Sequence, residues 1–350
     1  MPSSTGPSLP PPEFLDVEVH GDVPTIVSGR IVGIGHDGVV HSVVLSALRL
    51  ASYRAQQLGT GTSVQNVLAF GGTILALSDD SPAHELSAEL DAFRFVDLAG
   101  LGRVPAPFPK EDPITAELHL VAGAHDGTQS HTVVTADALT RSGRTIVDAP
   151  RRITDLALSC DKVAFVAPGF VGITPREGEA RTTWIATNAP APHPLHAHDA
   201  GETVVLLCLT PLLERWTLHA GTGTIVREVV DPTPRRFAHV TGAGGGGAPR
   251  WMWTTDDETI RRHDLVGSHD ANHNVSPCVP GDFVLVPKTA RRDETDGDWL
   301  VCLVHDPSGA TTDLRVFDGA DIAGAAVATV RIPRPIPHGL RCAWIPSVQH

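Results

Sequence analysis

Residues 203–229 read TVVLLCLTPLLERWTLHAGTGTIVREV. A β-branched run, 203–210, ends in Pro211, and 216–229 forms a second unit that folds back on itself through Gly221-Thr222-Gly223. Gly and Thr between two apolar, β-branched segments are the chemistry of a tight hairpin turn, so these segments are read as locally paired antiparallel strands. The same design recurs in both directions along the chain. VLAFGGTILALS (67–78), KVAFVAPGF (162–170), GDFVLVPK (281–288), WLVCLVHD (299–306) and AAVATVRIP (325–333) are all rich in Val, Ile, Leu and Phe and bounded by Gly, Pro, Asp or Asn. A further hairpin is expected through Asp306 to Ala310.

Only SPAHELSAELDAF, 81–93, has a helical signature, with Ser81 at the N-cap position and apolar residues at a 3.6-residue period. An α/β sheet needs such a helix between most strands, and here one short segment qualifies. The pattern therefore predicts an all-β chain of many short sheets, as in a propeller, with a sandwich as the competing arrangement. MPSSTGPSLPPP, 1–12, reads as a loose tail, leaving 13–350 as a single domain. TGAGGGGAPR, 241–250, has no strand-to-helix context and no following Lys-Ser/Thr, so it reads as a loop rather than a phosphate cradle.

Composition narrows the function. Forty Asp and Glu face 27 Lys and Arg, a formal charge of −13 without a basic run, which argues against nucleic acid as a partner. No N-terminal apolar segment and no stretch of about 18 apolar residues stands out, so a cytoplasmic protein without stable membrane insertion is expected. The five cysteines lie far apart with no CxxC pair, and they read as small buried hydrophobes. Arg exceeds Lys, and Ala, Gly, Pro and Asp abound, a bias resembling that of high-GC bacterial chains.

Several stretches, in consistent order over nearly the whole chain, resemble the carotenoid cleavage oxygenase family. HDGVVHSVVLS (36–46) is similar to the family's DGDGMVHGVRL, and FPKEDPITAELHLVAG (108–123) to AHPKVDPVTGELHFFGY. ITDLALSCDKVAFVAPGF (153–170) is similar to MHDFAITENYVVFLDLPL, and PIPHGLRCAW (335–344) to the segment carrying GFHGTW. The resemblance implies a seven-bladed β-propeller, and it turns 81–93 into blade strands and turns against the local helical pattern. The chain lacks a long early insert, which implies a reduced cap over the top face.

The resemblance also implies an axial Fe(II) on four histidines, and here this chain departs from it. Phe108, Thr154 and Arg341 stand at three of the ligand positions; only the third has a match, His193 of HPLHAHD. Phenylalanine offers iron no donor, threonine offers a poor one, and arginine brings a fixed positive charge. Asp199 and Asp282 stand near the family's secondary glutamates, one carbon shorter.

These departures point to a metal-independent, non-oxidative cyclase or isomerase of secondary metabolism, needing no cofactor and acting on a hydrophobic polyene, isoprenoid or polyketide-like substrate in an apolar axial tunnel. His193, Arg341, Asp155 and Asp199 are the candidate catalytic residues: a histidine tuned by carboxylates for proton transfer and a guanidinium to hold an enolate, carboxylate or carbonyl. Arg341 could instead be spent on an ion pair with Asp155. Phe108, Thr154, Trp251, Trp253 and His338 are the candidate substrate-lining residues, with Trp251 and Trp253 alternating onto one strand face. Two rival readings stand beside this one. The first is an Fe(II) cleavage oxygenase with a rearranged ligand set of His193, His196, His198 and a remote histidine such as His338. The second is a non-catalytic carrier of an apolar ligand.

Overall fold

The β-branched runs form strands almost wherever the sequence places them. The computed structural model describes residues 13–347 apart from 36, 49, 59–63, 88–89, 91, 99–103, 124–126, 178–180, 241–246, 268 and 289–296. The tail 1–12 and most of the Gly-rich segment thus lie outside the described residues. Among those described, the helical elements are two 3-10 turns, Thr25–Val27 and Asp137–Leu139. No described helix is long and apolar enough to cross a membrane.

The hairpin of the opening stretch pairs Leu213–His219 with Thr224–Asp231, and Gly223 turns it at φ +67°, a backbone conformation that only glycine adopts without strain. The second hairpin joins Trp299–His305 to Thr312–Asp318. The helix-like segment 81–93 instead contains the strand Ala83–Leu86, whose partner begins at Phe93. Ala83 and Leu86 are buried as strand residues, and tertiary pairing overrides the local helical period.

Five sheets are discrete. They run from Asn66 to Val96, from Val104 to Val147, from Asp155 to Ala186, from His193 to Asp231 and from Phe237 to Asn274. The remaining nine strands are one continuous sheet. In it, Glu13–Val17 pairs with the strand Ala51–Gln57, while Glu18–Gly21 pairs with Ala328–Ile332. The C-terminal strand Arg341–Pro346 pairs with Gly29–Ile34 on the same sheet. The expectation of seven separate blades is therefore corrected: the arrangement is propeller-like, with five discrete blades and the two ends of the chain fused into one larger sheet. Pairing both ends of the chain into one sheet ties the ring shut.

Successive sheets touch through their first strands. Asp155–Leu158 meets His193–Ala200, which meets Phe237–Val240, then Val279–Val286, then Arg341–Pro346, and this last strand packs on Asn66–Phe70. The apolar core lies between neighbouring sheets, as in the cluster of Ala157, Val171, Leu206 and Trp216 and that of Trp253, Phe283, Leu300 and Phe317. Because each sheet buries its apolar faces against its neighbours, the innermost strand ends are free to carry polar side chains toward a common centre.

Candidate functional site

That centre holds a cavity of about 220 Å³. Its walls come from the beginnings of the inner strands and include Asn66, Phe108, Lys110, His193, His239, Asp282 and Arg341. Several apolar residues complete the lining, among them Leu195, Ala238 and Val240. The expected apolar tunnel is thus corrected to a small cavity of mixed character, with cations, imidazoles and a carboxylate at its wall.

His193 opens its strand and is followed by a register irregularity between Pro194 and His196. Its Nδ1 lies 2.7 Å from Asp155 Oδ2. With Nδ1–H donated to the carboxylate, Nε2 is left as the lone-pair nitrogen. Burial lowers the His193 pKa below its ordinary value, and the charges of Lys110 and Arg341 add to this, while Asp155 opposes it. The ring is therefore neutral at neutral pH. Asp155 is buried, accepts the Leu156 N–H at 2.7 Å and stands 3.6 Å from Lys110 Nζ. Lys110 also donates to the Pro194 carbonyl at 3.2 Å, tying the strand that carries His193 to the sheet Val104–Val147.

Arg341 opens the last inner strand and reaches over the centre. Its guanidinium carbon is 5.2 Å from the Phe237 ring centroid and 5.9 Å from that of Phe108, rings contributed by different sheets. The ion pair with Asp155 does not form; His193 and Lys110 take that carboxylate. Phe108 also packs edge-on against His193 at 5.1 Å, so it is the apolar floor shared by the imidazole and the guanidinium.

A second imidazole–carboxylate pair was missed in the sequence. His239 Nε2 lies 2.9 Å from Asp282 Oδ1, and Asp282 Oδ2 accepts the Cys342 N–H at 2.9 Å. Asp282 is fully buried; although burial alone raises its pKa, His239, Arg341 and the Cys342 N–H outweigh it and hold the carboxyl below its ordinary value. Cys342 lines the cavity too, but burial and the neighbouring Asp282 push its thiol well above its usual range, so it stays protonated. The signal that could have found His239 is its place in FAHV, a polar residue in the short apolar strand that opens a sheet, as His193 opens its own.

Other expected site residues lie elsewhere. Thr154 is not in the cavity wall; its hydroxyl donates to the Val166 carbonyl at 3.3 Å. Asp199, at the far end of the His193 strand, pairs with Lys162 Nζ at 2.7 Å and accepts the Asp161 N–H at 3.0 Å. Trp253 is wholly buried in the core between sheets, and Trp251 beside it is flanked by Arg250 and Arg262, each 4.5 Å from its ring centroid. His338 packs on His305 with ring centroids 4.1 Å apart.

His196 and His198 do share one strand face, with stacked rings 5.7 Å apart, but His196 Nε2 is hydrogen-bonded to the Gly247 carbonyl at 2.9 Å. Among the described residues no group of three or more His, Cys, Asp or Glu converges as a metal site. The proposed ligand set of His193, His196, His198 and His338 is not brought together. Nor do the four axial positions suit an iron centre: a phenyl ring, a hydroxyl turned to its own sheet, one imidazole and a guanidinium supply one good donor.

Residues 167–346 match the family described as retinal pigment epithelial membrane protein. Among curated proteins the chain is similar to a carotenoid cleavage oxygenase of Mycobacterium tuberculosis, 24% identical over 217 residues, covering 51% of this chain and 43% of that protein. It is also similar to an apocarotenoid-15,15'-oxygenase of Synechocystis, 33% identical over 88 residues, 25% of this chain and 18% of the other. The chain thus spans less than half the length of the curated relatives it matches. Among solved structures, Synechocystis apocarotenoid oxygenase gives a TM-score of 0.82 at 16% identity over 97% of each chain. The lignostilbene dioxygenase of Pseudomonas brassicacearum gives 0.85 at 15% identity over 95% of each chain. At such identities the structural likeness establishes the fold.

Proposed function

The chain belongs to the carotenoid-oxygenase family that includes retinal pigment epithelial membrane protein, and from that premise we propose that it is an enzyme of non-oxidative proton transfer, an isomerase or cyclase. The observation that carries this reading is the His193–Asp155 pair at 2.7 Å, opening on the same cavity as a guanidinium with no hydrogen bond or ion pair among the described residues. His193 Nε2 takes a proton from a carbon next to a substrate carbonyl. Arg341 donates to the oxygen on which negative charge develops, and Phe108 keeps water from that side of the centre. Return of the proton at a second carbon gives an isomer; attack by the enolate carbon on a second electrophile closes a ring. A polyene, isoprenoid or polyketide-like carbonyl compound supplies the acidic carbon, and a reduced cap over the top face admits it.

Cleavage oxygenase activity is the second reading, favoured by the names of the curated relatives. The donor set at the axis weighs against it.

The two are separated by incubating the protein in D2O with polyene aldehydes and polyketide-like ketones. Deuterium incorporated next to the carbonyl, unaffected by a strong chelator, is the expected result. Arg341→Met should slow incorporation roughly 10² to 10³-fold with little change in thermal midpoint. About one iron per chain, with cleavage products that vanish on chelation and return with Fe(II), would overturn the first reading and establish the second.

A further inference from the structure

Asp282 braces two groups at once. Its Oδ1 holds His239 Nε2 at 2.9 Å, and its Oδ2 holds the backbone N–H of Cys342 at 2.9 Å, the residue next to Arg341 on the same strand. One buried carboxylate therefore fixes the orientation of an imidazole and the start of the strand that presents the guanidinium. A fully buried carboxylate is retained only when its oxygens are well satisfied, and both of these are.

What Asp282 leaves unsatisfied faces the cavity. His239 Nδ1 makes no hydrogen bond among the described residues, and neither does the Arg341 guanidinium, although both side chains line the cavity wall. The neighbouring positive group, Lys110, is already engaged by the Pro194 carbonyl and Asp155. A guanidinium with no hydrogen bond to its forked donors among the described residues, lying over two phenyl rings that cannot accept a hydrogen bond from them in plane, is a site built for a planar oxyanion.

We propose that Arg341 and His239, braced together by Asp282, form a clamp for the carboxylate of a small organic acid, so that the substrate of this cavity is an acid. This rests on the proton-transfer reading and deepens it. Arg341 takes the carboxylate through two N–H donors, and His239, whose Nε2–H is donated to Asp282, donates Nδ1–H to one of its oxygens as the imidazolium, the acid's own proton completing the ring. The carbon next to the carboxylate is then turned toward His193, which is not part of the clamp. At about 220 Å³ the cavity suits a compact acid or the acidic end of a longer one that emerges through the opening.

The test uses 3-methylcrotonate, a five-carbon unsaturated acid, and its neutral amide as probes, with binding to the full chain measured by calorimetry. The acid should bind at least about tenfold more tightly than the amide. Arg341→Met should weaken the acid by roughly 10- to 100-fold and leave the amide unchanged, and Arg341→Lys, which keeps the charge but loses the fork, should fall between. His239→Gln should weaken the acid about 3- to 10-fold. Asp282→Asn should do the same and also, in the acid complex, shift the ring ¹⁵N resonances of His239 from the imidazolium toward the neutral pattern, a change that loss of packing alone would not give. Equal affinity for acid and amide, or an acid affinity indifferent to both Arg341 variants, would overturn the clamp. Deuterium exchange through His193 is read separately, so exchange that persists without acid preference removes the clamp and leaves the proton-transfer reading standing. Acid preference without exchange removes that reading instead.

Discussion

Two imidazole–carboxylate pairs face one cavity in this protein, and they are not equivalent. His193 meets Asp155 through Nδ1 and turns Nε2 inward, whereas His239 meets Asp282 through Nε2 and turns Nδ1 inward. Asp155 shares its charge with Lys110 and its own strand's N–H, and Asp282 shares its charge with the backbone beside Arg341. The same two residue types thus give a neutral base on one side and, once its ring carries both protons, a braced donor beside a fixed cation on the other. Which carboxylate oxygen is spoken for by what neighbour, rather than the pairing itself, assigns the role.

The largest effect that could break this contrast is on turnover. His193→Ala should lower it by roughly 10² to 10⁴-fold while the fold survives, because the base is removed. His239→Ala should raise KM about tenfold with a smaller change in kcat, because a binding contact is lost. Equal losses of kcat in both variants would mean that the two pairs act as one proton relay, and the distinction drawn from their orientation would fail.

Acidity sharpens the comparison next. Protonation of His193 removes its lone pair, and its pKa is lowered below the ordinary 6.5. Turnover should therefore be flat above about pH 6.5 and fall only in more acidic solution, tenfold per unit below the folded-state pKa. Stability follows the same sign for a larger set. His119 and His196 are lowered to about 4 by burial, and His131 to about 3. Each binds its proton more readily in the unfolded chain, so their contribution is fully present above pH 6.5 and is lost as pH falls through their folded values. The thermal midpoint should drop by about 5–10 °C between pH 7 and pH 4.5. A midpoint that stayed level or rose over that range would show that these histidines are solvated.

Much of the fold was legible because strand pairing is local: Gly221-Thr222-Gly223 and the Asp306 turn each join neighbours in sequence, and the β-branched runs leave no other element to form. Fusion of the chain ends was not legible, since pairing of Glu18 with Arg331 depends on ring closure and no local pattern reports it. At the cavity, Phe108 and Arg341 could be placed from the sequence because a neighbouring Pro-Lys and Trp anchor them to the family pattern, and His193 because HPLHAHD matches the family's histidine segment. Asp199 was misplaced because a carboxylate six residues along a strand ends up about 20 Å from its start, at roughly 3.3 Å per residue. His239 carries no anchoring neighbour, and only the third dimension brings it to Asp282.

The smallest expected effect concerns the histidines that looked most like a metal site. His196 and His198 lie on the His193 strand, yet beyond its irregularity, and their rings stack on each other rather than facing the cavity wall. His196→Ala loses the bond to the Gly247 carbonyl, and His198→Ala loses mainly the stacked ring. Each should lower stability by about 1 kcal/mol and leave turnover within about twofold. Should either variant abolish activity as His193→Ala does, the base would not be isolated on its side of the cavity. The strand as a whole would then be the catalytic element, and the contrast between the two imidazole–carboxylate pairs would have to be drawn again with three histidines on one side.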